Sequence, residues 1–194
     1  LTDIPEYCFA GSKMLTVAAK NSLGSIRYLA PYSFANIQEI RMDSGAANAS
    51  DYQFFTTKTA VITIDSYAFD STVVRDSDLY NSYEGKKRKF FDLQESIGQI
   101  NSYAFSEATF GAINLPSFTK KIGTFALHNV KANGIYSIRM AGSYTAYGGH
   151  YSVLNNCLYK NNDTGSTIDT LLFRTKDYLG TSPSAIEASK NVKI

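Results

Sequence analysis

Hydrophobic residues recur along this chain in a fixed pattern that identifies an internal repeat. Five segments close on a Phe or Leu, with an aromatic residue two positions before it and a small residue one position before it. An Ile or Leu stands five positions before the closing residue in all five segments. Agreement in three columns over five segments predicts a solenoid of stacked repeats. The Ile or Leu and the closing residue of each segment are Ile4 and Phe9, Leu29 and Phe34, Ile64 and Phe69, Ile100 and Phe105, and Ile122 and Leu127.

A short strand is predicted after most of these segments. Two apolar residues separated by one other residue follow the first, second, fourth and fifth segments, which is typical of a strand with one buried face. After the third segment, Val73, Val74 and Leu79 are all candidates, and the pattern leaves the register open. The four apolar pairs are Leu15 and Val17, Ile40 and Met42, Ile113 and Leu115, and Ile138 and Met140.

The spacing of the closing residues indicates the size of the repeating unit. Successive closing residues lie 25, 35, 36 and 22 positions apart, and the shorter intervals fall in the range of leucine-rich repeats. The two longer intervals predict insertions within residues 43–59 and 76–95. Each unit is expected to contain a strand, a turn and a short helical or 3₁₀ segment that carries the aromatic and the closing residue. Because no unit can bury its apolar face alone, Ile, Tyr and Phe are expected to form ladders through the interior.

Three stretches of the chain carry a family resemblance. Residues 97–105 (Ile-Gly-Gln-Ile-Asn-Ser-Tyr-Ala-Phe), residues 113–116 (Ile-Asn-Leu-Pro) and residues 121–123 (Lys-Ile-Gly) follow one another. They resemble the BspA-like leucine-rich repeats, which occur in surface proteins of host-associated bacteria and of some parasitic protists. Two features depart from that family's pattern. The usual Cys shortly after Ala-Phe is missing from every segment, and Leu127 replaces Phe in the fifth.

The resemblance implies one right-handed leucine-rich-repeat solenoid over residues 1–194, with short parallel strands and about five to six irregular repeats. Residues 1–140 hold the recognisable repeats, and residues 141–194 are expected to form an irregular C-terminal repeat, hairpin or cap. In that part, residues 155–160 (Asn-Asn-Cys-Leu-Tyr-Lys) resemble a hairpin that such proteins insert between repeats. A β-helix is the alternative fold.

Charge and hydropathy narrow the classes of partner. The formal net charge is +2 and only 19% of residues are charged, so nucleic acid is not the expected partner. Residues 85–89 (Gly-Lys-Lys-Arg-Lys) are interpreted as a solvated loop tip, with contact to sulfated glycans or nucleic acid as the alternative. No apolar stretch is long enough to predict insertion into a membrane. The abrupt ends of the chain lead us to expect a piece of a longer protein.

Catalytic and metal-binding patterns are scarce. His128 is expected to be a capping or exposed residue and His150 a loop contact, and no zinc-ligand or nucleotide-binding spacing occurs, so no metal or cofactor is expected. Asp76 and Asp78, two positions apart, are interpreted as loop residues rather than a calcium or glycosidase site. Cys8 and Cys157 are too distant along a solenoid to pair, so both are expected to be buried thiols.

Two candidate binding surfaces follow from the strand pattern. Residues between the buried strand positions should point outward in register and form an extended face. A second set consists of C-terminal tyrosines, which either cap the last repeat or bind a partner. The first candidate face is Thr16, Glu39, Arg41, Asn114, Ser137 and Arg139, and the second is Tyr144, Tyr147, Tyr151 and Tyr159.

Three functions are compatible with this sequence. The resemblance implies a non-catalytic adhesion module, monomeric and extracellular or at the cell surface, that binds a host or matrix protein or a glycan. A structural spacer within a larger surface protein is the alternative. A polysaccharide-active enzyme on a β-helix is a third possibility, but it needs clustered carboxylates beside Lys or Arg, and the outward row has no such cluster.

Overall fold

The structure is built from short β-strands. The computed structural model describes residues 2–17, 26–42, 62–75, 90–92, 97–109, 112–116, 119–130, 137–141, 150–154, 157–161 and 168–174. Regular structure within these residues consists of fourteen strands, without a helix. The strands are β1 (Asp3–Ile4), β2 (Leu15–Val17), β3 (Tyr28–Leu29), β4 (Ile40–Met42), β5 (Ile62–Ile64), β6 (Val74–Arg75), β7 (Phe90–Asp92), β8 (Ile97–Ile100), β9 (Ala112–Pro116), β10 (Lys121–Ile122), β11 (Ser137–Ala141), β12 (Tyr151–Leu154), β13 (Cys157–Asn161) and β14 (Ile168–Arg174).

A five-stranded parallel sheet joins the five repeats. Its strand order is β1-β3-β5-β8-β10, so neighbouring strands come from successive repeats. The register places the Ile or Leu of each repeat beside that of the next: Ile4, Leu29, Ile64, Ile100 and Ile122. This alignment confirms the column five positions before each closing residue as one ladder of the fold.

The strand that follows each turn belongs to one of two three-stranded parallel sheets. The first has the order β2-β4-β6 and the second the order β11-β9-β7. In the first sheet, Ile40 pairs with Leu15 on one side and with Val74 on the other, which determines the register that the sequence left open. Strand β7 lies within residues 76–95, so that interval adds a strand to the second sheet.

The closing Phe residues form the centre of the core. Phe34, Phe69 and Phe105 are each 1% exposed, and successive Phe rings from Phe9 onward stack with centroids 5.0 to 5.2 Å apart. The N–H of each Phe donates to the carbonyl of the small residue in the following repeat, for example Phe69 to Ala104 at 2.8 Å. A small side chain is needed there because two turns of backbone approach within hydrogen-bond distance.

The conformation of the aromatic residue two positions before each closing residue differs from the prediction. The segment around it is a turn rather than a helix or 3₁₀ segment, and each of these aromatics has a left-handed backbone, with φ between 56° and 59°. The reversal at this residue separates its side chain from the interior, so the aromatic column lies at the surface and not in the core. The column consists of Tyr7, Tyr32, Tyr67, Tyr103 and Phe125.

The two cysteines differ in environment, which corrects a second prediction. Cys157 is buried but Cys8 is exposed, and they form no disulfide. Cys8 occupies the small-residue column, whose other members, Ser33, Ala68 and Ala104 among them, are buried. Cys8 belongs to the first repeat of the described stack, which has a neighbouring repeat on one side only.

An antiparallel unit covers the last repeat. Strands β12, β13 and β14 form a three-stranded antiparallel sheet, and β12 and β13 make the hairpin that was expected near residues 155–160. Tyr151 and Leu158 of this unit are buried in the same apolar cluster as the repeats, with Leu172 and Phe173 packed against it. The N–H of Ile122, on the edge strand β10, donates to the Tyr151 hydroxyl at 2.6 Å. Tyr151 therefore occupies part of the open edge of the five-stranded sheet.

Candidate functional site

The predicted outward row lies on the two three-stranded sheets. In β2-β4-β6, Thr16 pairs with Arg41, and in β9-β11, Asn114 pairs with Arg139. Ser137 is on β11 beside Ala112. Glu39 precedes β4 and is partly buried, and its carbonyl accepts the N–H of Leu15 at 2.9 Å. The structure thus brings the predicted residues together as two short rows, one on each sheet.

Two further residues belong to these rows and were missed. Arg75 is the register partner of Arg41, and Asp92 is the register partner of Asn114. Arg75 could have been found by aligning Val74-Arg75 with Ile40-Arg41, but the apolar doublet Val73-Val74 allowed two registers. Asp92 lies in a segment that was interpreted as an insertion, where no repeat pattern marked a strand.

The tyrosine candidates divide into two groups. Tyr144 and Tyr147 lie outside the described residues. Tyr151 and Tyr159 are only 6% and 5% exposed. Burial raises the pKa of Tyr151, and the hydrogen bond from the N–H of Ile122 partly opposes that shift. Tyr151 belongs to the apolar cluster of the repeats, and Tyr159 is buried on β13; these positions suit the capping role, which stays a prediction.

A stacked aromatic ladder runs along the outside of the repeats. The rings of Tyr7, Tyr32, Tyr67 and Tyr103 stack with centroids 5.1 to 5.2 Å apart and planes within 6° of parallel. Phe125 continues the ladder at 5.5 Å from Tyr103 with a 33° tilt. The ring of Tyr7 is 58% exposed and that of Phe125 is 55% exposed, at the two ends of the ladder. The ladder is a continuous aromatic strip of mostly tyrosine rings, a surface type common in protein recognition.

A polar network lies next to this ladder and spans three repeats. Asp65 accepts hydrogen bonds from the Tyr28 hydroxyl at 2.5 Å, from the Asn101 amide at 2.6 Å and from the backbone N–H of Ser66 at 2.7 Å. The Gln99 amide in turn donates to the Asn101 side-chain oxygen at 2.6 Å. These residues are partly buried and hold one another in place. This network could not be predicted from the sequence, because its members meet only through the strand register.

The network shifts the pKa values of its two acidic groups in opposite directions. The hydrogen bond to Asp65, followed by burial and nearby carboxylates, raises the pKa of Tyr28 to about 12. Burial raises the pKa of the Asp65 carboxyl, but the hydrogen bonds from Tyr28, Asn101 and Ser66 outweigh it, so the net pKa lies below the ordinary value. At neutral pH the pair is therefore a carboxylate and a neutral phenol, which is the combination that keeps the bond intact.

The other candidate chemical groups lie apart from one another. His128 is exposed and meets the rings of Tyr103 and Phe125 edge-on at 5.7 Å, and His150 is exposed before β12. Asp76, Asp78 and residues 85–89 lie outside the described residues. In the part of the chain that the structure describes, no three His, Cys, Asp or Glu side chains are grouped to hold a metal ion.

Comparison with known proteins gives one match. The model of the BspA type leucine rich repeat region matches six copies, over residues 1–81 and 79–162. Searches of the curated proteins and of the solved structures found no match to this chain. Within the described ranges there is also no helix with the length and apolar character needed to cross a membrane.

Proposed function

This chain belongs to the BspA-type leucine-rich-repeat family, and on that basis we propose that it is a non-catalytic module that binds a protein partner on its outward strand rows. Repeat solenoids recognise partners over extended faces, since each repeat adds one residue per strand to a continuous row. The observation that carries the proposal is the strand register, which aligns Thr16 with Arg41 and Asn114 with Arg139. Register partners on adjacent strands follow one another at intervals of about 4.8 Å.

The composition of the rows favours a protein over other partners. The first row consists of Thr16, Arg41 and Arg75 and the second of Arg139, Asn114 and Asp92, so the two rows together contain residues of both charge signs. Arg is enriched in protein–protein interfaces, and mixed charges give specificity rather than general attraction to a polyanion. The aromatic ladder, which is exposed at its two ends and half-buried between them, adds a second strip of the Tyr-rich kind that protein interfaces use.

A binding screen with matched variants tests this proposal. The whole chain is applied to immobilised matrix proteins and glycans, together with a row variant (Thr16→Ala, Arg41→Ala, Arg139→Ala) and a control variant (Asp3→Ala, Arg27→Ala, Lys121→Ala). The control residues are exposed and belong to the repeats of the five-stranded sheet. We expect the wild type and the control to bind at least one protein and the row variant to lose that binding.

Three results would overturn the proposal. Binding to glycans alone would show that the partner is a glycan and not a protein. No binding by any folded sample would favour a spacer role, which flanking domains in the full-length gene product would support. Release of sugars from a polysaccharide panel would favour an enzyme instead.

We also propose that the module is monomeric and works outside the cell or at its surface, as members of this family often do. Labelling of intact cells with an antibody against the chain, compared with permeabilised cells, tests the location. Signal from permeabilised cells alone would contradict it.

A further inference from the structure

The polar network around Asp65 belongs to the middle repeats and not to the repeating pattern. Its members occupy two columns, which lie six and four positions before each closing residue. Tyr28 and Gln99 stand in the first column, and Asp65 and Asn101 stand in the second. The other repeats place Pro5, Ala30 and Gly123 in the second column. Stacking of the repeats therefore does not require polar side chains there.

The strand register gathers these side chains on one face of the five-stranded sheet. Tyr28 pairs with Thr63, and Thr63 pairs with Gln99, so the three residues lie on consecutive strands. Asp65 and Asn101 directly follow strands β5 and β8. All five residues are half-buried, which leaves part of each side chain accessible to a ligand.

The hydrogen bonds inside the network leave several polar groups for a ligand. Asn101 donates one amide N–H to Asp65, and Gln99 donates one to Asn101, each at 2.6 Å. The second N–H of each amide and the Gln99 Oε1 form no bond with the part of the chain that the structure describes. The Tyr28 oxygen can still accept a bond, because its proton is donated to Asp65. Donors and acceptors thus lie side by side in positions that the network fixes.

The charges around the network favour a neutral ligand. The Asp65 carboxylate is negative at neutral pH, and Glu6 acts on Tyr28 with the same sign, so an anionic ligand is disfavoured. Both Asp65 oxygens already accept hydrogen bonds, so a cation would compete with those donors. A hydroxyl group both donates and accepts, which matches the mixed groups that the network leaves unused.

We propose that Tyr28, Gln99 and Asn101, held in place by Asp65, bind a neutral glycan on the face of the five-stranded sheet opposite the Ile ladder. A few fixed polar groups beside aromatic side chains are typical of sites that orient a small ligand. The site goes beyond the proposed protein-binding function, because it takes a different ligand on a different sheet.

Titration of the isotope-labelled chain by nuclear magnetic resonance tests the site directly. The probes are neutral tetrasaccharides of glucose, galactose, mannose and N-acetylglucosamine, a heparin tetrasaccharide and the peptide Gly-Ser-Gln-Ser-Gly. We expect the side-chain amide signals of Gln99 and Asn101 to shift together with at least one neutral tetrasaccharide. The side-chain amide of Gln38, which is exposed in the second repeat, should stay in place and is the internal control.

Substitutions taken from other repeats separate binding from folding. Asn101→Ala and Gln99→Thr introduce the residue types that Ala30 and Thr63 place in the same columns, so the repeats should still stack. Each should weaken binding of the responding tetrasaccharide about tenfold, because one or two hydrogen bonds are lost. Gln38→Ala is the matched control and should leave the affinity unchanged. The amide shifts of the wild type test the site even if a variant fails to fold.

Four results would overturn the site. The first is no shift of the Gln99 and Asn101 amides with any neutral tetrasaccharide, and the second is an equal shift at Gln38. The third is tighter binding of the heparin tetrasaccharide, and the fourth is a response to the peptide alone.

The variant of the outward strand rows separates this inference from the proposed function. The row variant (Thr16→Ala, Arg41→Ala, Arg139→Ala) should lose protein binding and keep the affinity of the wild type for the tetrasaccharide. Loss of tetrasaccharide binding in the folded row variant would contradict the network site. Tetrasaccharide binding without any protein binding would overturn the proposed function alone.

Discussion

Substitution of Ser33 by Ala should stabilise the protein, although Ser33 lies in the core. The side chain is 0% exposed, and its hydroxyl oxygen has no hydrogen-bond partner among the described residues. Ala68, Ala104 and Ala126 occupy the same column in the following repeats and are buried. The site therefore accepts a methyl group, and the hydroxyl of Ser33 is a buried polar group with no compensating bond from the part of the chain that the structure describes.

The size of the gain follows from the cost of that hydroxyl. An unsatisfied buried hydroxyl costs about 1–3 kcal/mol in proteins. Removal of one oxygen also leaves a small void and loses some dispersion contacts, which offsets part of the gain. We expect a net stabilisation of about 1 kcal/mol, which raises the urea midpoint by about 0.3–1 M for an m-value of about 1–3 kcal/mol/M.

Thr72→Val is the matched control for urea unfolding followed by circular dichroism. Thr72 is also 0% exposed, but its hydroxyl donates to the Phe34 carbonyl and lies 3.4 Å from the N–H of Ile37. Val has nearly the same shape as Thr but lacks the hydroxyl, so this variant should have a free energy of unfolding about 1–2 kcal/mol lower than the wild type. Opposite signs for the two variants are the predicted result. A destabilised Ser33→Ala variant would refute the reasoning that its hydroxyl is uncompensated.

Three other changes test packing and the polar network. Gly123→Ala should lower the free energy of unfolding by about 1–3 kcal/mol, because a Cβ there would overlap the backbone N of Ser102. An unchanged urea midpoint would contradict this. Phe69→Leu should lower the free energy of unfolding by about 1–3 kcal/mol, because two ring stacks at 5.1 and 5.2 Å are lost. The same urea unfolding curve measures this loss. A loss below about 0.5 kcal/mol would show that the stacks contribute little. Tyr28→Phe should remove one phenol from the ultraviolet titration, with a pKa of about 12. Because the folded pKa of Tyr28 is raised, the contribution of its bond to Asp65 is complete below pH 10 and is lost as the pH rises through about 12; a wild type and variant that lose stability equally over this range would contradict it.

The sequence was sufficient to predict the parts of the fold that depend on side-chain size and polarity. The Ile column, the Phe column and the small residue between turns each need one kind of side chain, so they recur visibly. The strand triplets Leu15-Thr16-Val17 and Ile40-Arg41-Met42 could be recognised for the same reason.

The aromatic column was placed on the wrong side for a physical reason. In a regular strand or helix, the directions of two side chains that are two positions apart can be predicted from the periodicity. The prediction fails where the backbone between them is irregular. Tyr67 and its equivalents have a positive φ, which is rare for an aromatic residue and has no compositional signal. The ring stacking that accompanies this conformation exists only between repeats and could not be read from one segment.

The candidate site was predicted only where the register could be counted along the chain. Thr16 and Arg41 each lie between the two residues of a regular apolar pair, and the register aligns them in one row. Arg75 was missing from the predicted row because Val73 and Val74 are both apolar, so the sequence allowed two registers. A shift of one residue in register moves every side chain to the other face. The Asp65 network was out of reach for a similar reason, because Tyr28 and Asn101 meet it across strands that are 37 and 36 residues away in sequence.

The in-register stacking of the repeats supports both the fold and the two strand rows, and it can be measured in solution. Nuclear Overhauser effects between backbone protons of neighbouring strands report the register of each pair separately. The structure predicts contacts that join Ile64 to Ile100 in the five-stranded sheet and Arg41 to Arg75 in the first three-stranded sheet. Contacts from Arg41 to Val74 in place of Arg75, or no contacts between these strands, would contradict the account.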